Sequence, residues 1–220
     1  NEANRVFDYL TNWELGDKPI TKMSNLLLTP TNMRSAIIQL IENEIKHANK
    51  KKPAKIIIKL NSLTDPILIS YLYKAVKANV EVHLIIRGIL TLDKKEEKLN
   101  QKLNAISIVD QYLEHSRVLI FHNNGKEKVY LSSADWMVRN LDHRVEAAVE
   151  ITNRVLKQEL EDILDIQLSD NVKARILDNE LNNQYVSSTG RKKIRSQIET
   201  YRYLWKSEFG ATNRRAPGAA

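Results

Sequence analysis

A chain of 220 residues, 42% hydrophobic and 28% charged, has the balance of a folded domain and not of a disordered segment, and it is long enough to bury a core. It contains no cysteine, which excludes disulfides, thiolate metal sites and a cysteine nucleophile and fits a reducing compartment. The net charge of +7 points to a polyanionic partner, but eight basic and only two acidic residues fall between Gly190 and Arg215, so the surplus describes a tail more than a site. No apolar run approaches the ~20 residues of a membrane span, no secretory signal is present, and a start at Asn1 suggests a fragment or a processed product.

Residues 1–24 hold a short amphipathic stretch, with Val6, Tyr9, Leu10 and Trp13 on one face, and then a polar loop. Asn25 to Thr29 is a short apolar run before Pro30 and reads as a buried strand. From Met33 apolar residues fall at 33, 37, 40, 41, 45 and 48, the spacing of a helix, which Lys50–Lys52 and Pro53 end. Residues 54–60 contain Ile56-Ile57-Ile58, a second strand. Asp65-Pro66 is a helix start, Asp as cap and Pro in the first turn, and the helix is expected to reach Ala78. Residues 80–86 form the third strand. Strands without alternation, separated by helices, predict a parallel β-α-β-α-β sheet covered on both faces.

The pattern then changes. Residues 94–102 are very polar and read as a surface helix or loop, and 106–109 is a short strand candidate. Residues 118–122 and 128–131 flank Asn123-Asn124-Gly125 and predict a hairpin. Residues 132–144 read as a polar connection around Trp136 and Met137, followed by a strand over 145–151. Asn153 caps a helix with Leu156, Leu160, Ile163 and Leu164 on one face. Another helical stretch is expected over 171–182. Beyond Gly190 the basic chain is expected to be partly helical to Phe209, with a frayed end over 211–220.

The sequence lacks a glycine-rich phosphate loop, an H-E-x-x-H helix, zinc-type spacing and a serine-hydrolase elbow. What remains is histidine with arginine. His47 lies among lysines at a helix end and reads as solvated. His83 alternates with strand residues as a core or edge histidine. His122 ends a hairpin strand, and His143 lies in a polar turn. His115 differs, because it enters the apolar strand that follows Arg117. Two residues apart, His115 and Arg117 leave the same face of an extended chain. An imidazole that works near pH 7 beside a rigid fork of donors suits phosphate chemistry. The plain alternative is a loop-capping histidine bonded to Glu114 or to the backbone. Arg87, at the end of the third strand, points to the ligand edge of the sheet. Arg144 closes the turn before the next buried strand. Rim salt bridges are the plain alternative for both.

Glu114-His115-Ser116-Arg117, Phe121-His122-Asn123, Val129 through Met137 (V-Y-L-S-S-A-D-W-M) and Arg139-Asn140-Leu141-Asp142 through Arg144-Val145-Glu146 closely resemble the C-terminal part of bacterial polyphosphate kinases. Lys59 through Pro66, Ile86-Arg87-Gly88-Ile89 and Ser169 through Arg175 fit the same family in the same order. The resemblance implies an α/β phospholipase D-like fold, a mixed sheet flanked by helices with a helical C-terminal extension. It implies two similar catalytic halves, the first supplying a histidine that is phosphorylated by ATP and passes the group reversibly to polyphosphate, with Mg2+. This chain then carries the second half. His115 matches its essential histidine, a general acid or phosphate stabiliser. Arg87 and Arg144 match arginines that hold nucleotide phosphates, Arg117 adds a further cation, Ser133 and Asp135 fall in the serine segment of the superfamily, and all five are expected to bind substrate. No residue is expected to ligate a metal directly. After Gly88 the family usually continues with two cysteines and Leu-Arg-Pro-Gly, whereas this chain reads Ile89-Leu90-Thr91-Leu92 and then a charged run.

The expected division is 1–24 as a helix and linker from an upstream half, 25–190 as the catalytic half, and 191–220 as a basic helix and tail. Expected partners are ATP or ADP, inorganic polyphosphate and further copies in an oligomer, with no nucleic acid. The expected place is the cytoplasm, with peripheral association at the inner membrane open. Two other readings stay open. One is a homodimeric phosphodiesterase or nuclease in which each chain supplies one histidine. The other is a non-catalytic polyanion-binding module that uses the basic tail.

Overall fold

The computed structural model describes residues 2–11, 23, 25–92, 102–178 and 182–209. Its elements in chain order are α1 (Glu2–Thr11), β1 (Leu26–Leu28), α2 (Met33–Asn49), β2 (Lys55–Leu60), α3 (Pro66–Lys77), β3 (Glu81–Ile86), β4 (Leu103–Ile108), β5 (Val118–Phe121), β6 (Lys128–Ser132), α4 (Val138–His143), β7 (Ala147–Glu150), α5 (Arg154–Leu168), β8 (Ala174–Ile176) and α6 (Ser196–Phe209). The strands make one eight-stranded sheet in the order β1-β7-β6-β5-β2-β3-β4-β8. β2, β3 and β4 run parallel, and every other neighbouring pair is antiparallel. The fold is thus α/β with a mixed sheet and a C-terminal helix.

The unalternating strands are explained by two cores. On one face Ile56, Ile58 and Leu60 of β2 and Val82, Leu84 and Ile86 of β3 pack with Met33, Ile37 and Ile41 of α2 and Leu68, Leu72 and Val76 of α3. On the other, Ile57, Ile85, Ile106, Val118 and Ile120 lie with Leu160, Leu164 and Leu168 of α5. A strand buried on both faces has no polar side to alternate. The caps follow their chemistry. Asp65 accepts the Leu68 N–H at 2.9 Å with Pro66 in the first turn of α3, and Asn153 accepts the N–H groups of Val155 and Leu156 at the start of α5. The β5–β6 hairpin turns through a 3-10 segment, Asn123–Gly125, whose three residues all have positive φ, a conformation that Asn and Gly tolerate best.

Three expectations need correction. β1 is not part of a parallel first half: it pairs antiparallel with β7, Leu27 opposite Ala148, at one end of the sheet. An apolar run reports burial, not the direction of the partner. The stretch expected as a helix over 171–182 is not helical in its described residues, 171–178 and 182. The Asp170 carboxylate accepts the N–H groups of Val172, Lys173 and Ala174, a turn that launches β8 against β4. Its apolar residues Val172, Ala174 and Ile176 follow the strand period of two. The connection over 132–144 contains α4, and Trp136 within it is completely buried. Trp13 and the expected segments over 14–22, 94–101 and 211–220 lie outside the described residues. No helix among the described residues is long and apolar enough to cross a membrane.

Candidate active site

The carboxyl ends of β2 and β3 meet the start of β5, the end of β6 and the start of β7 at one edge of the sheet, because β5 runs against β2 and β6 against β5. The segment after β2 holds this edge together. Gly88 N–H donates to Asn61 O at 2.7 Å, Leu63 N–H to Ile89 O at 2.8 Å, and Trp136 N–H to Ser62 O at 3.2 Å. The N–H groups of Thr64 and Asp65 both reach Trp136 O. A β-carbon on Gly88 would lie 2.9 Å from Asn61 O, so only glycine lets Arg87 leave β3 this close to β2.

His115 is exposed at this edge. Arg87 Nη2 stands 3.4 Å from its Nδ1. A guanidinium can only donate, so Nδ1 accepts and the proton of a neutral imidazole sits on Nε2. Arg117 is occupied elsewhere. Its Nε and Nη2 reach the two carboxylate oxygens of Asp135 at 3.1 and 3.3 Å, and its Nη1 donates to His115 O at 3.3 Å. Asp135 Oδ1 also accepts the N–H groups of Asn61 and Ser62 at 2.8 and 3.2 Å. Shared strand parity predicts His115 beside Arg117. The structure instead brings Arg87 to the imidazole and ties Arg117 into the scaffold that carries it.

The remaining expected residues lie one strand over. Ser133 hydroxyl donates to Glu146 Oε2 and accepts the Ala147 N–H at 3.1 Å. Glu146 also accepts from Asn140 Nδ2 at 2.9 Å. Arg144 is 57% exposed and 4.0 Å from Glu146. The buried Thr29 clamps this turn: its hydroxyl donates to Arg144 O at 2.7 Å and accepts the Glu146 N–H at 2.8 Å. Glu146 and Thr29 were not singled out by sequence, since their roles depend on β1 lying beside β7.

Behind His115 lies a buried pair. Lys59, 3% exposed, places Nζ 2.5 Å from Glu114 Oε2, which also accepts from Gln167 Nε2 at 3.2 Å. Burial pushes the Lys59 ammonium below the usual lysine range against the pull of Glu114, and the nearby charge of Arg87 adds to the depression. The signal was present in sequence, a lysine inside the run Ile56-Ile57-Ile58-Lys59-Leu60, where a buried charge requires a partner. Among the described residues no group of three or more His, Cys, Asp or Glu side chains could hold a metal ion. A cleft of about 510 Å3 between α5 and α6, lined by Asp162, Lys192, Arg202 and Tyr203 among others, contains none of the expected site residues.

Residues 26–197 match the family model of the polyphosphate kinase C-terminal domain 2. The chain is 45% identical over 204 residues to a polyphosphate kinase of Vibrio parahaemolyticus and 44% identical over 204 residues to that of Escherichia coli K12, covering 93% of this chain and 29% of each relative. It therefore spans under a third of the length of those relatives. The crystal structure of polyphosphate kinase from Porphyromonas gingivalis superposes with a TM-score of 0.85 at 42% identity, over 92% of this chain and 31% of that one.

Proposed function

Since the chain belongs to the polyphosphate kinase family, we propose that it forms the second catalytic half of such an enzyme, with the terminal phosphoryl group of ATP passing reversibly to polyphosphate through a phosphohistidine on a first half. In the forward direction an imidazole nitrogen of that half attacks the γ-phosphorus, an N–P bond forms, and the bond to the bridging oxygen of ADP breaks. A terminal oxygen of polyphosphate then attacks the same phosphorus and displaces the histidine. Two displacements replace one difficult transfer. Each needs a partner opposite the attacking atom and positive charge on the equatorial oxygens.

This chain's share is the far side of the phosphorus. His115 Nε2, with Nδ1 turned to Arg87, is placed to give a proton or hydrogen bond to the departing oxygen. Arg87 and the exposed Arg144 neutralise phosphate oxygens. Arg117, Asp135 and Ser133 act one step back by fixing the strand ends that carry His115 and Arg144. Mg2+ enters bound to the phosphates of ATP or ADP, as part of the substrate. The reading also divides the chain as expected, residues 1–24 leading from an upstream half and 25–190 forming the catalytic half. It places the enzyme in the cytoplasm as an oligomer.

The observation that carries this reading is the Arg87–His115 contact at an exposed sheet edge. The test joins the chain to the upstream part of a related polyphosphate kinase and measures ATP-dependent polyphosphate synthesis. His115→Ala is expected to abolish synthesis and Arg87→Ala to lower it at least a hundredfold, with folding kept. Synthesis unchanged in His115→Ala would overturn the assignment.

A further inference from the structure

The loop over 109–115 delivers His115, and it is not self-supporting. Val109, Tyr112 and Leu113 on it are all more than half exposed, so little packing holds it. Five of its polar contacts come from the beginning of α6 and the residue before it. Arg195 grips Asp110 with two bonds of 2.7 Å. Gln197 then makes three: it accepts the Tyr112 N–H at 3.0 Å and donates to Tyr112 O at 2.8 Å and to Glu114 Oε1 at 2.9 Å. Glu114 is the residue before His115, and its other oxygen is taken by Lys59 and Gln167. The start of α6 is itself fixed, since Ser196 N–H donates to the fully buried Asp170 at 2.7 Å.

We propose that Gln197 is a positioning residue for His115, and that α6 is thereby part of the scaffold of the active site and not an appended basic tail. A loop with few apolar contacts has several conformations of similar energy. One side chain that satisfies both the N–H and the C=O of Tyr112 and also holds the Glu114 carboxylate selects one of them. Glu114, locked between Lys59 on β2 and Gln197 on α6, then fixes the backbone from which the imidazole leaves toward Arg87. Misplacement of a reacting group by about 1 Å is enough to cost on the order of a hundredfold in rate.

The inference rests on His115 being the reacting-side histidine, and its test separates the two claims. In the 220-residue chain, NMR of the His115 ring reports its environment without any activity. Gln197→Leu removes all three bonds at nearly constant volume. It is expected to move the His115 ring resonances toward the values of an unstructured peptide and to broaden them, leaving the other four histidines unchanged. In the reconstituted kinase the same variant is expected to lower kcat at least tenfold, with KM for ATP within threefold. Should Gln197→Leu fold poorly, Gln197→Glu keeps the acceptor for Tyr112 N–H but sets a carboxylate against Glu114, and the same displacement of the His115 signals is expected. Wild-type His115 resonances in a folded variant would overturn the proposal. If the resonances move while His115→Ala retains full synthesis, positioning stands and the catalytic reading of His115 fails.

Discussion

Replacing Asp135 with alanine is expected to lower folding stability by about 4 kcal/mol, with the damage centred on the sheet edge that carries His115. The side chain is 10% exposed and its carboxylate serves four donors, the backbone N–H groups of Asn61 and Ser62 and two nitrogens of Arg117. Its loss strands a guanidinium whose side chain is 14% exposed, and breaking a buried pair in this way costs about 3–5 kcal/mol. The N–H of Asn61, itself buried, loses its acceptor as well, a further ~1–3 kcal/mol if nothing relaxes. The two losses share one acceptor, so they overlap and do not sum. Against net domain stabilities of about 5–15 kcal/mol, the variant folds, but marginally.

The companion substitutions separate charge from hydrogen bonding. Asp135→Asn keeps one oxygen for the Asn61 N–H, removes the charge and turns an amide against Arg117, at an expected cost of about 2–3 kcal/mol. Arg117→Leu combined with Asp135→Ala leaves no stranded charge, so the double variant is expected to cost at least ~1.5 kcal/mol less than the sum of the singles. Urea unfolding followed by tryptophan fluorescence and circular dichroism measures all four members of the cycle. An Asp135→Ala loss below about 1 kcal/mol, or strict additivity in the cycle, would refute the reasoning. Arg117 would then be free to meet substrate rather than being committed to the scaffold.

Two further expectations concern the backbone and acid stability. Gly88→Ala forces a β-carbon to within 2.9 Å of the Asn61 carbonyl, and a strand-end carbonyl cannot yield cheaply. The variant is expected to lose about 1–3 kcal/mol in urea unfolding and to lower synthesis in the reconstituted kinase by displacing Arg87; wild-type values for both would reject the close approach as a constraint. For Asp170, burial alone would raise the pKa, but hydrogen bonds from Ser196, Lys173 and Val172 outweigh it and hold the carboxyl below the usual aspartate range. A depressed carboxylate contributes stability that is complete above its unfolded pKa of about 3.9 and is lost as pH falls through the folded value. Asp170→Asn is therefore expected to destabilise the chain at pH 7 and to flatten its stability loss below about pH 4; parallel wild-type and variant curves of urea midpoint against pH would exclude this linkage.

What the sequence made legible follows from the range of each interaction. The α2 and α3 boundaries were readable because their signals are local: apolar residues spaced to one helix face, and Asp65-Pro66 at a start. The β5–β6 hairpin was readable from Asn123-Asn124-Gly125 for the same reason. β1 was recognisable as a strand, but its partner β7 lies more than a hundred residues away, and nothing in Leu26-Leu27-Leu28 encodes that choice. The region after Asp170 misled because an aspartate followed by free N–H groups opens helices and strand-leading turns alike. At the site, His115 and Arg87 were legible from their positions at strand ends. Their contact was not, because it needs the β2–β5 register. Gln197 was hidden because it is a neutral polar residue in a basic stretch whose two partners, Tyr112 and Glu114, lie 85 and 83 positions away.

The total charge is a poor guide to which cations a polyanion would meet, and pairing is a better one. Arg34 is committed to Asp65 and Asp142, Arg117 to Asp135, Arg195 to Asp110 and Lys59 to Glu114. An opposite charge about 3 Å away cancels most of the field that each would project. At the sheet edge Arg87 has no carboxylate partner among the described residues, and its Nη2 lies 3.4 Å from the imidazole. Arg144 is largely exposed, with Glu146 at 4.0 Å. The edge therefore holds two cations outside close ion pairs although the chain outside its basic tail is nearly neutral. Each committed arginine is part of the reason: Arg34 meets Asp142 two residues before Arg144, and Arg117 holds the backbone of His115. Neutralised guanidiniums build the frame, whereas Arg87 and Arg144 stand at the edge outside close ion pairs, a division that composition cannot reveal because both kinds count equally toward +7.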